Sequence, residues 1–116
     1  MTLEIRFRKN TLVVVGGIIK QIDQHPNDTR TTSQYAKEAG MNRKRFQAAF
    51  KHLTGTGVQE YKNGLRMQIA CQLLTEAEKP IKEIASICLF KSQRAFTTAF
   101  KKAFGMTPVE YQNKNS

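Results

Sequence analysis

Two clusters of cationic, amide and hydroxyl side chains have the residue types that contact nucleic acid. The first comprises Arg43, Lys44, Arg45, Gln47 and Lys51, and the second comprises Lys91, Gln93, Arg94, Thr97, Thr98, Lys101 and Lys102. Arg and Lys can hydrogen-bond to O6 and N7 of guanine, and Gln can pair with N6 and N7 of adenine. Because neither cluster contains an acidic residue, each is predicted to form a surface that meets a polyanion.

Both clusters belong to a sequence repeat. Phe46–Tyr61 reads FQAAFKHLTGTGVQEY and Phe96–Tyr111 reads FTTAFKKAFGMTPVEY, so seven of sixteen positions are identical at an offset of fifty residues. Each copy follows a short stretch with the pattern of a helix and a turn. Two similar units in one basic chain indicate two similar surfaces on one repetitive partner, and duplex DNA fits that description.

Composition narrows the class of partner. The chain has 116 residues, a formal net charge of +10 and a pI of ≈ 10.0. It is long enough for one compact domain or two very small ones that share a core. Its charge indicates nucleic acid or an acidic membrane surface as the partner. The longest apolar run, Leu12–Ile19, is too short to span a bilayer.

The remaining reactive residues do not form a catalytic or metal-binding pattern. His25 and His52 are not at metal-ligand spacing with Cys71 or Cys88, and no glycine-rich phosphate loop follows a strand. Both cysteines lie among apolar neighbours in helical patterns, so buried free thiols are predicted rather than a disulfide. The sequence therefore predicts no enzyme activity, no metal site and no cofactor.

Hydrophobic periodicity predicts an all-α fold of seven helices, in which two helix-turn-helix units are joined by a long linker helix. Residues 1–10 are a basic lead-in or the end of an upstream domain, with a weak strand signal over Leu3–Phe7. The first helix-turn-helix unit is predicted over residues 11–57, the linker helix over 58–78 and the second unit over 79–116. The first helix is expected to end near His25 and to bury Val15, Ile18, Ile19 and Ile22.

Local signals predict where the helices begin and end. Thr31 and Gln34 have the capping-box form, Gly40 suits a left-handed turn, and Asn42 and Ser92 are good N-caps. Thr107–Glu110 is a further capping box with Pro in the first turn. The second helices of the two units are expected to bury Phe46, Ala49, Phe50 and Leu53 and, in the second copy, Phe96, Ala99, Phe100 and Ala103. The linker helix, about Val58–Glu76, is expected to bury Tyr61, Leu65, Ile69, Leu73 and Leu74.

These motifs resemble the AraC/XylS-type transcription regulators. The resemblance covers Thr31 to Tyr111, and its most specific part is the closing run Phe100-Lys101, Phe104–Pro108 and Glu110-Tyr111. It implies sequence-specific binding of double-stranded DNA and regulation of transcription, with the two units in adjacent major grooves on one face of the duplex. It also implies a bacterial cytoplasmic location at the nucleoid, with RNA polymerase as a further candidate partner and no membrane.

The same resemblance implies which residues contact the DNA. Base-reading positions map to Lys44, Arg45, Gln47 and Ala48 in the first unit and to Gln93, Arg94, Thr97 and Thr98 in the second. Phosphate contacts map to Asn42, Arg43, Lys51, Arg66, Lys91, Ser92, Lys101 and Lys102. For Arg66, in the linker helix, a phosphate contact and a structural tie to the helix turns stand as equal alternatives.

Four positions depart from the family pattern. Ala48 stands where many members carry a long polar side chain, so reading by the first unit is expected to depend on its other candidate positions. Leu89 replaces a turn glycine, and because a non-glycine residue at positive φ costs about 1–2 kcal/mol, the second turn is expected to be reshaped. Gly57 removes a capping side chain, so the linker helix is expected to fray at its start. Gly64 costs that helix about 1 kcal/mol relative to Ala.

Helix length bears on how DNA would be engaged. A linker helix of about 18 residues spans about 27 Å, whereas adjacent major grooves on one face repeat every ~34 Å. We therefore expect a monomer to bend an asymmetric site of about two turns, or one recognition helix alone to insert fully. Dimerisation through a domain outside this chain is an alternative to the monomer.

Two competing functions remain at this stage. The chain could be the DNA-binding module of a larger sensor, signalling or DNA-repair protein. It could also be a structural or protein-interaction helical domain whose charge is incidental. The native open reading frame distinguishes the first alternative from a standalone regulator. The second alternative is tested by comparing the DNA affinity of the chain with that of an unrelated basic protein.

Overall fold

The computed structural model describes residues 9–115, and within that range the chain forms seven α-helices and no strand. The helices are α1 (Lys9–Gln24), α2 (Thr32–Glu38), α3 (Arg43–Thr54), α4 (Val58–Glu76), α5 (Ile81–Ile87), α6 (Gln93–Phe104) and α7 (Pro108–Asn115). The predicted all-α fold, with seven helices and a long linker helix, is confirmed. The strand signal over Leu3–Phe7 lies outside the described residues.

Helix α1 starts earlier than its hydrophobic stripe suggested. It is already helical at Lys9, the first described residue, and continues through Gly16 and Gly17, which obscured its start in the sequence. Val15, Ile18 and Ile22 of the predicted stripe are buried, and Ile19 is half-buried. The helix ends at Gln24, as expected from Pro26, because the residue before a proline disfavours helical backbone.

The chain divides into two compact units, Met1–Gly64 and Leu65–Ser116, so α4 contributes residues to both. In the first unit α3 packs against α1 and α2. Its core contains a series of aromatic rings, with centroids 6.4 Å apart for Tyr35 and Phe46, 5.9 Å for Phe46 and Phe50, and 5.5 Å for Phe50 and Tyr61. The Tyr61 hydroxyl donates to the Asp23 carboxylate, which joins the first turn of α4 to the last turn of α1.

In the second unit α6 packs against α5 and α7. Its buried core comprises Met67, Ala70, Leu74, Ile84, Ala85, Cys88, Phe96 and Phe100. The rings of Phe100 and Tyr111 meet edge-on with centroids 5.5 Å apart, the same distance and arrangement as Phe50 and Tyr61. The identical Phe and Tyr of the sequence repeat therefore make the same contact in each unit, which explains why the repeat preserves them.

The predicted helix caps are confirmed. Thr31 Oγ1 accepts the N–H of Gln34 at 3.2 Å, and Gln34 Oε1 accepts the N–H of Thr31 at 2.7 Å. Thr107 and Glu110 repeat this capping box at the start of α7, and the hydrogen bond that the Thr107 N–H donates to the Glu110 carboxylate holds the pKa of Glu110 below its ordinary value. Each box satisfies two backbone donors that the first turn of a helix leaves without a partner.

Three predictions for the inner faces of α3 and α6 are wrong. Leu53 is 42% exposed, and its counterpart Ala103 is also exposed, although both lie on the stripe of the buried phenylalanines by helical angle. Both residues belong to the last turn, which ends at Gly55 in α3 and Gly105 in α6. Their exposure therefore follows from their position near the end of the helix, and hydrophobic periodicity predicts only the face of the helix on which a residue lies. Ala99 is half-buried rather than buried, whereas its counterpart Ala49 is fully buried.

The predicted inner face of α4 is also displaced. Its most buried residues are Val58, Lys62, Arg66, Met67, Ala70 and Leu74. Of the five residues predicted to lie inward, only Leu74 is fully buried; Tyr61, Leu65, Ile69 and Leu73 are half-buried. The predicted stripe contained only apolar and aromatic residues, but long cationic side chains can bury their aliphatic stems where the charged ends find partners.

Candidate nucleic-acid interface

The first candidate surface is the outer side of α3, set by the turn that precedes it. Gly40 occupies the left-handed region at φ +72°, and the N–H of Met41 donates to the Ala36 carbonyl at 3.1 Å, so the chain reverses within a few residues. Asn42 Oδ1 then accepts the N–H of Arg45 at 2.8 Å and caps α3, as predicted. These contacts fix where the helix begins and therefore which side chains its first turn presents.

Burial of one side of α3 leaves its cationic side exposed. Phe46, Ala49 and Phe50 are fully buried. The predicted DNA-contacting positions of this unit are all exposed: Asn42, Arg43, Lys44, Arg45, Gln47, Ala48 and Lys51. Helix α3 carries no acidic residue, so nothing on it offsets the attraction of its cations for a polyanion.

Within residues 9–115, Arg45 is an exposed residue of α3 whose side chain has a partner on another helix. Its Nη2 donates to the hydroxyl of Thr11 in α1 at 3.3 Å, and Thr11 is only 7% exposed. The two residues line an open groove of about 520 Å³ between the start of α1 and the α2–α3 turn. Sequence reasoning missed Thr11, because a single threonine within a helical stripe carries no recognisable signal.

The second candidate surface is the outer side of α6. Ser92 Oγ accepts the N–H of Ala95 at 3.0 Å and caps this helix, as predicted. Phe96 and Phe100 are buried. Lys91, Ser92, Gln93, Arg94, Thr98, Lys101 and Lys102 are exposed, and Thr97 is half-buried. Like α3, α6 contains no acidic residue.

The turn before α6 keeps the left-handed residue and the closing hydrogen bond of the first turn, so the expected reshaping is limited to the length of the turn. Leu89 lies at φ 64°, and the N–H of Phe90 donates to the Ala85 carbonyl at 3.0 Å, matching the bond from Met41 in the first unit. The second turn, between Cys88 and Ser92, is longer than the first by one residue. Hydrogen bonds and the burial of Cys88 hold the turn, so the left-handed backbone conformation is kept although Leu89 is strained in it.

The repeated lysines occupy equivalent places near the ends of α3 and α6. The N–H of Gly55 donates to the Lys51 carbonyl at 2.7 Å, and the N–H of Gly105 donates to the Lys101 carbonyl at 2.7 Å. Both glycines are left-handed C-caps. The backbone around each lysine is therefore held in the same way, and both side chains extend into solvent.

Two cations of α4 are not on these surfaces. Lys62, which sequence reasoning did not single out, is 3% exposed; its Nζ donates to the Arg30 carbonyl at 3.1 Å and to the Tyr35 hydroxyl at 3.3 Å. Arg66 is 8% exposed. Its backbone carbonyl lies 3.6 Å from Sγ of Cys88, whose thiol pKa is raised by burial. This burial favours the structural tie for Arg66 over a phosphate contact, because a buried guanidinium has little surface to offer DNA.

Arg30 is neutralised within the first unit. Its guanidinium pairs with Asp28 at 2.8 Å and with Glu38 at 2.7 Å, and it lies 4.7 Å from the centroid of the Tyr35 ring. Hydrogen bonds from Arg30 lower the pKa of Asp28 to about 2. The carboxylates of Asp28 and Glu38 are thus both engaged by one arginine in the loop before α2.

Other potential sites are limited in the part of the chain that is described. Over residues 9–115, no cluster of histidine, cysteine and carboxylate side chains could hold a metal ion. Cys71 and Cys88 are free thiols, of which Cys88 is buried and Cys71 half-buried. Over the same residues, no helix has the length and apolarity to cross a bilayer.

The sequence is similar to known DNA-binding regulators. A family model described as a helix-turn-helix domain matches residues 35–114. The probable transcriptional regulator LumQ of Photobacterium leiognathi is 33% identical over 91 residues, which cover 78% of this chain and 37% of that protein. The RCS-specific HTH-type transcriptional activator RclR of Escherichia coli (strain K12) is 30% identical over 116 residues, which cover 96% of this chain and 41% of that protein. The chain spans about two fifths of the length of these relatives.

A solved structure agrees with the fold. The DNA-binding domain of the global transcriptional factor AdpA, determined in complex with a target DNA, aligns with a TM-score of 0.78 and 24% identity, covering 86% of this chain and 90% of that one. At this level of identity the likeness establishes the architecture of the helices.

Proposed function

Since the chain belongs to the AraC/XylS-type family of helix-turn-helix regulators, we propose that it binds double-stranded DNA sequence-specifically and regulates transcription without catalysing a reaction. Helices α3 and α6 act as its two recognition helices, each entering the major groove. They meet two half-sites in adjacent grooves of one asymmetric site.

The observation that carries this proposal is the pair of exposed, acid-free helix faces that follow capped turns. Both α3 and α6 bury two phenylalanines and leave cations, amides and hydroxyls in solvent. A single basic face is an ordinary feature of soluble helices. Two such faces at equivalent positions of a repeat, in a chain with a net charge of +10, match the demands of a periodic polyanion.

We assign base contacts to positions at which the two units have different residues. In α3 these are Lys44, Arg45, Gln47 and Ala48, and in α6 they are Gln93, Arg94, Thr97 and Thr98. The long donors suit guanine and adenine edges, and the methyl groups of alanine and threonine suit the thymine methyl. Because the two sets differ, the two half-sites differ in sequence, and the whole site is asymmetric.

Phosphate contacts fall to residues that bracket the recognition helices. They are Asn42, Arg43 and Lys51 in the first unit and Lys91, Ser92, Lys101 and Lys102 in the second. The exposed N-termini of α3 and α6 add backbone N–H groups and the positive ends of their helix dipoles. For Arg66 we propose the structural tie within the second unit, on the basis of its burial.

Selection of bound sequences from a random duplex pool tests the proposal. We expect an enriched asymmetric motif of about two helical turns, and protection of both major grooves in footprints with the selected duplex. Circular permutation of that duplex then reports whether the DNA bends. A pool without enrichment, together with an affinity no higher than that of an unrelated protein of equal charge, would leave a helical protein-interaction domain as the better explanation.

Because this chain matches only about two fifths of the length of its relatives, the activity of the whole protein is a separate proposal. We propose that the chain supplies the DNA-binding part and acts as a monomer, whether it works alone or within a larger sensor, signalling or repair protein. RNA polymerase is the second proposed partner, in the bacterial cytoplasm at the nucleoid. Sequencing of the native open reading frame identifies any attached domain, and sedimentation with and without the selected duplex measures the oligomeric state.

A further inference from the structure

The contact between α1 and the first recognition helix suggests a role for a residue outside the helix-turn-helix motif. Arg45 precedes the buried Phe46, so it lies at the side of α3, between the buried stripe and the outward face. Its side chain turns toward α1, where Nη2 donates to Thr11 Oγ1 at 3.3 Å. An arginine side chain otherwise has many rotamers, and a fixed partner reduces the entropy that DNA binding must remove.

We propose that Thr11 is a positioning residue for Arg45, which holds the guanidinium at the α1 edge of the DNA-contacting surface. This inference rests on the proposed function, since it names how one base-reading side chain of that function is oriented. Thr11 touches Arg45 rather than DNA, because it is 7% exposed while Arg45 is exposed. Its side chain acts as a fixed hydrogen-bond acceptor on a helix that packs directly against α3.

The geometry leaves Arg45 free to contact DNA at the same time. A guanidinium has five N–H donors, and the bond to Thr11 engages one nitrogen. The groove beside the pair is open, with a volume of about 520 Å³, and its other polar lining residues include Asn10 and Asn42. The remaining donors of Arg45 can therefore reach a base edge or a phosphate while Thr11 keeps the side chain in place.

A double-mutant cycle tests this role. The variants are Thr11→Val, which keeps shape and removes the acceptor, Arg45→Ala, and the two combined, each measured by fluorescence anisotropy on the selected duplex and on a scrambled duplex. We expect Arg45→Ala to weaken binding of the selected duplex by about 10-fold and Thr11→Val by about 5-fold. The double variant should bind no more weakly than Arg45→Ala, because Thr11 then has no side chain to position.

Two further variants separate positioning from folding. Thr11→Ser retains the hydroxyl and should bind within about 2-fold of the wild type. Thr29→Val, at an exposed position between α1 and α2, controls for the threonine-to-valine change and should bind as the wild type. Urea unfolding of every variant confirms that the helices remain intact.

The possible results are distinct. A loss from Thr11→Val that is equally large in the Arg45→Ala background would assign Thr11 a purely structural role and overturn the inference. Tighter binding by Thr11→Val would also overturn it, because the hydrogen bond would then hold Arg45 away from DNA. If the wild type binds the selected and scrambled duplexes equally, the proposed sequence-specific function fails, and the cycle on the scrambled duplex still decides whether Thr11 acts through Arg45.

Discussion

Leu89 adopts the left-handed backbone conformation, with φ 64°, that Gly40 adopts with φ 72° at the equivalent turn of the first unit. The two turns close with matching bonds: the Met41 N–H to the Ala36 carbonyl at 3.1 Å and the Phe90 N–H to the Ala85 carbonyl at 3.0 Å. Glycine takes this conformation without a steric penalty, whereas a side chain brings Cβ close to the carbonyl oxygen. The second turn therefore stores strain that the first does not.

Replacement of Leu89 by Gly should stabilise the protein. The side chain is 45% exposed, so only part of its surface is buried, and we expect relief of the left-handed strain to outweigh the loss of that burial and raise the free energy of unfolding by up to about 1 kcal/mol. Urea unfolding followed by circular dichroism measures the change. Gly40→Ala, the reverse change in the equivalent turn, should destabilise by about 1 kcal/mol. A destabilised Leu89→Gly variant would instead mean that contacts of the leucine side chain exceed the strain.

Gly64→Ala should also stabilise the protein, for a different reason. Gly64 lies within α4, and a Cβ added there would have no atom of another residue within 4 Å apart from its immediate helical backbone. In a helix interior, alanine stabilises the helix by about 1 kcal/mol relative to glycine. Gln68→Gly, at an exposed position of the same helix, should lower the free energy of unfolding by a similar amount. Equal stability of wild type and Gly64→Ala would show that the gain in helix propensity is offset at this position.

The lysines shared by the two copies of the repeat and the cations in the first turns of α3 and α6 should affect DNA binding in different ways. Lys51→Ala or Lys101→Ala should weaken binding to selected and scrambled duplexes alike and reduce the slope of log K against log salt by about one, because each removes one phosphate contact.

Lys44→Ala or Arg94→Ala should instead relax the preference for the selected duplex, by about 1–3 kcal/mol at one base position. Titrations at several salt concentrations, with Lys20→Ala on α1 as a charge-matched control, separate the two classes. The assignment of roles would be reversed if Lys51→Ala changed base preference while Lys44→Ala weakened all duplexes equally.

Acid should destabilise the first unit through Asp28. The pKa of its carboxyl is lowered to about 2 from an ordinary value of 3.8 by hydrogen bonds from Arg30. Above about pH 5 the carboxyl is ionised in both folded and unfolded chains, and its stabilising contribution is fully present. Between about pH 5 and about pH 2 the unfolded chain binds the proton first, so stability falls as the pH falls.

Urea unfolding at a series of pH values measures this dependence. Asp28→Asn should be less stable than the wild type at pH 7 and should lose less stability between pH 4 and pH 2. An unchanged pH profile in this variant would transfer the acid sensitivity to other carboxylates, of which Glu38 is the other partner of Arg30.

Local sequence determined most of the secondary structure and the identity of the exposed faces. Thr31, Asn42, Ser92 and Thr107 begin helices as predicted, because a capping side chain and the backbone donors it satisfies are separated by only a few residues. The phenylalanine stripes of α3 and α6 fixed which side of each helix is buried, so the exposed cations followed by exclusion. The predicted fraying of α4 near Gly57 stays a prediction, to be measured by amide hydrogen exchange.

Tertiary contacts decided what periodicity does not encode. Lys62 is buried because the carbonyl of Arg30 and the hydroxyl of Tyr35, distant in sequence, meet its ammonium group. Leu53 shares the helical face of the buried phenylalanines but is exposed. Sequence spacing predicts the face on which a residue lies, whereas its burial depends on whether a neighbouring helix packs against that turn. Arg45 and Thr11 pair across 34 positions of sequence. Sequence thus determined which side chains are available to DNA, and the packing of helices determined which of them are held in place, because packing brings together partners that local pattern cannot identify.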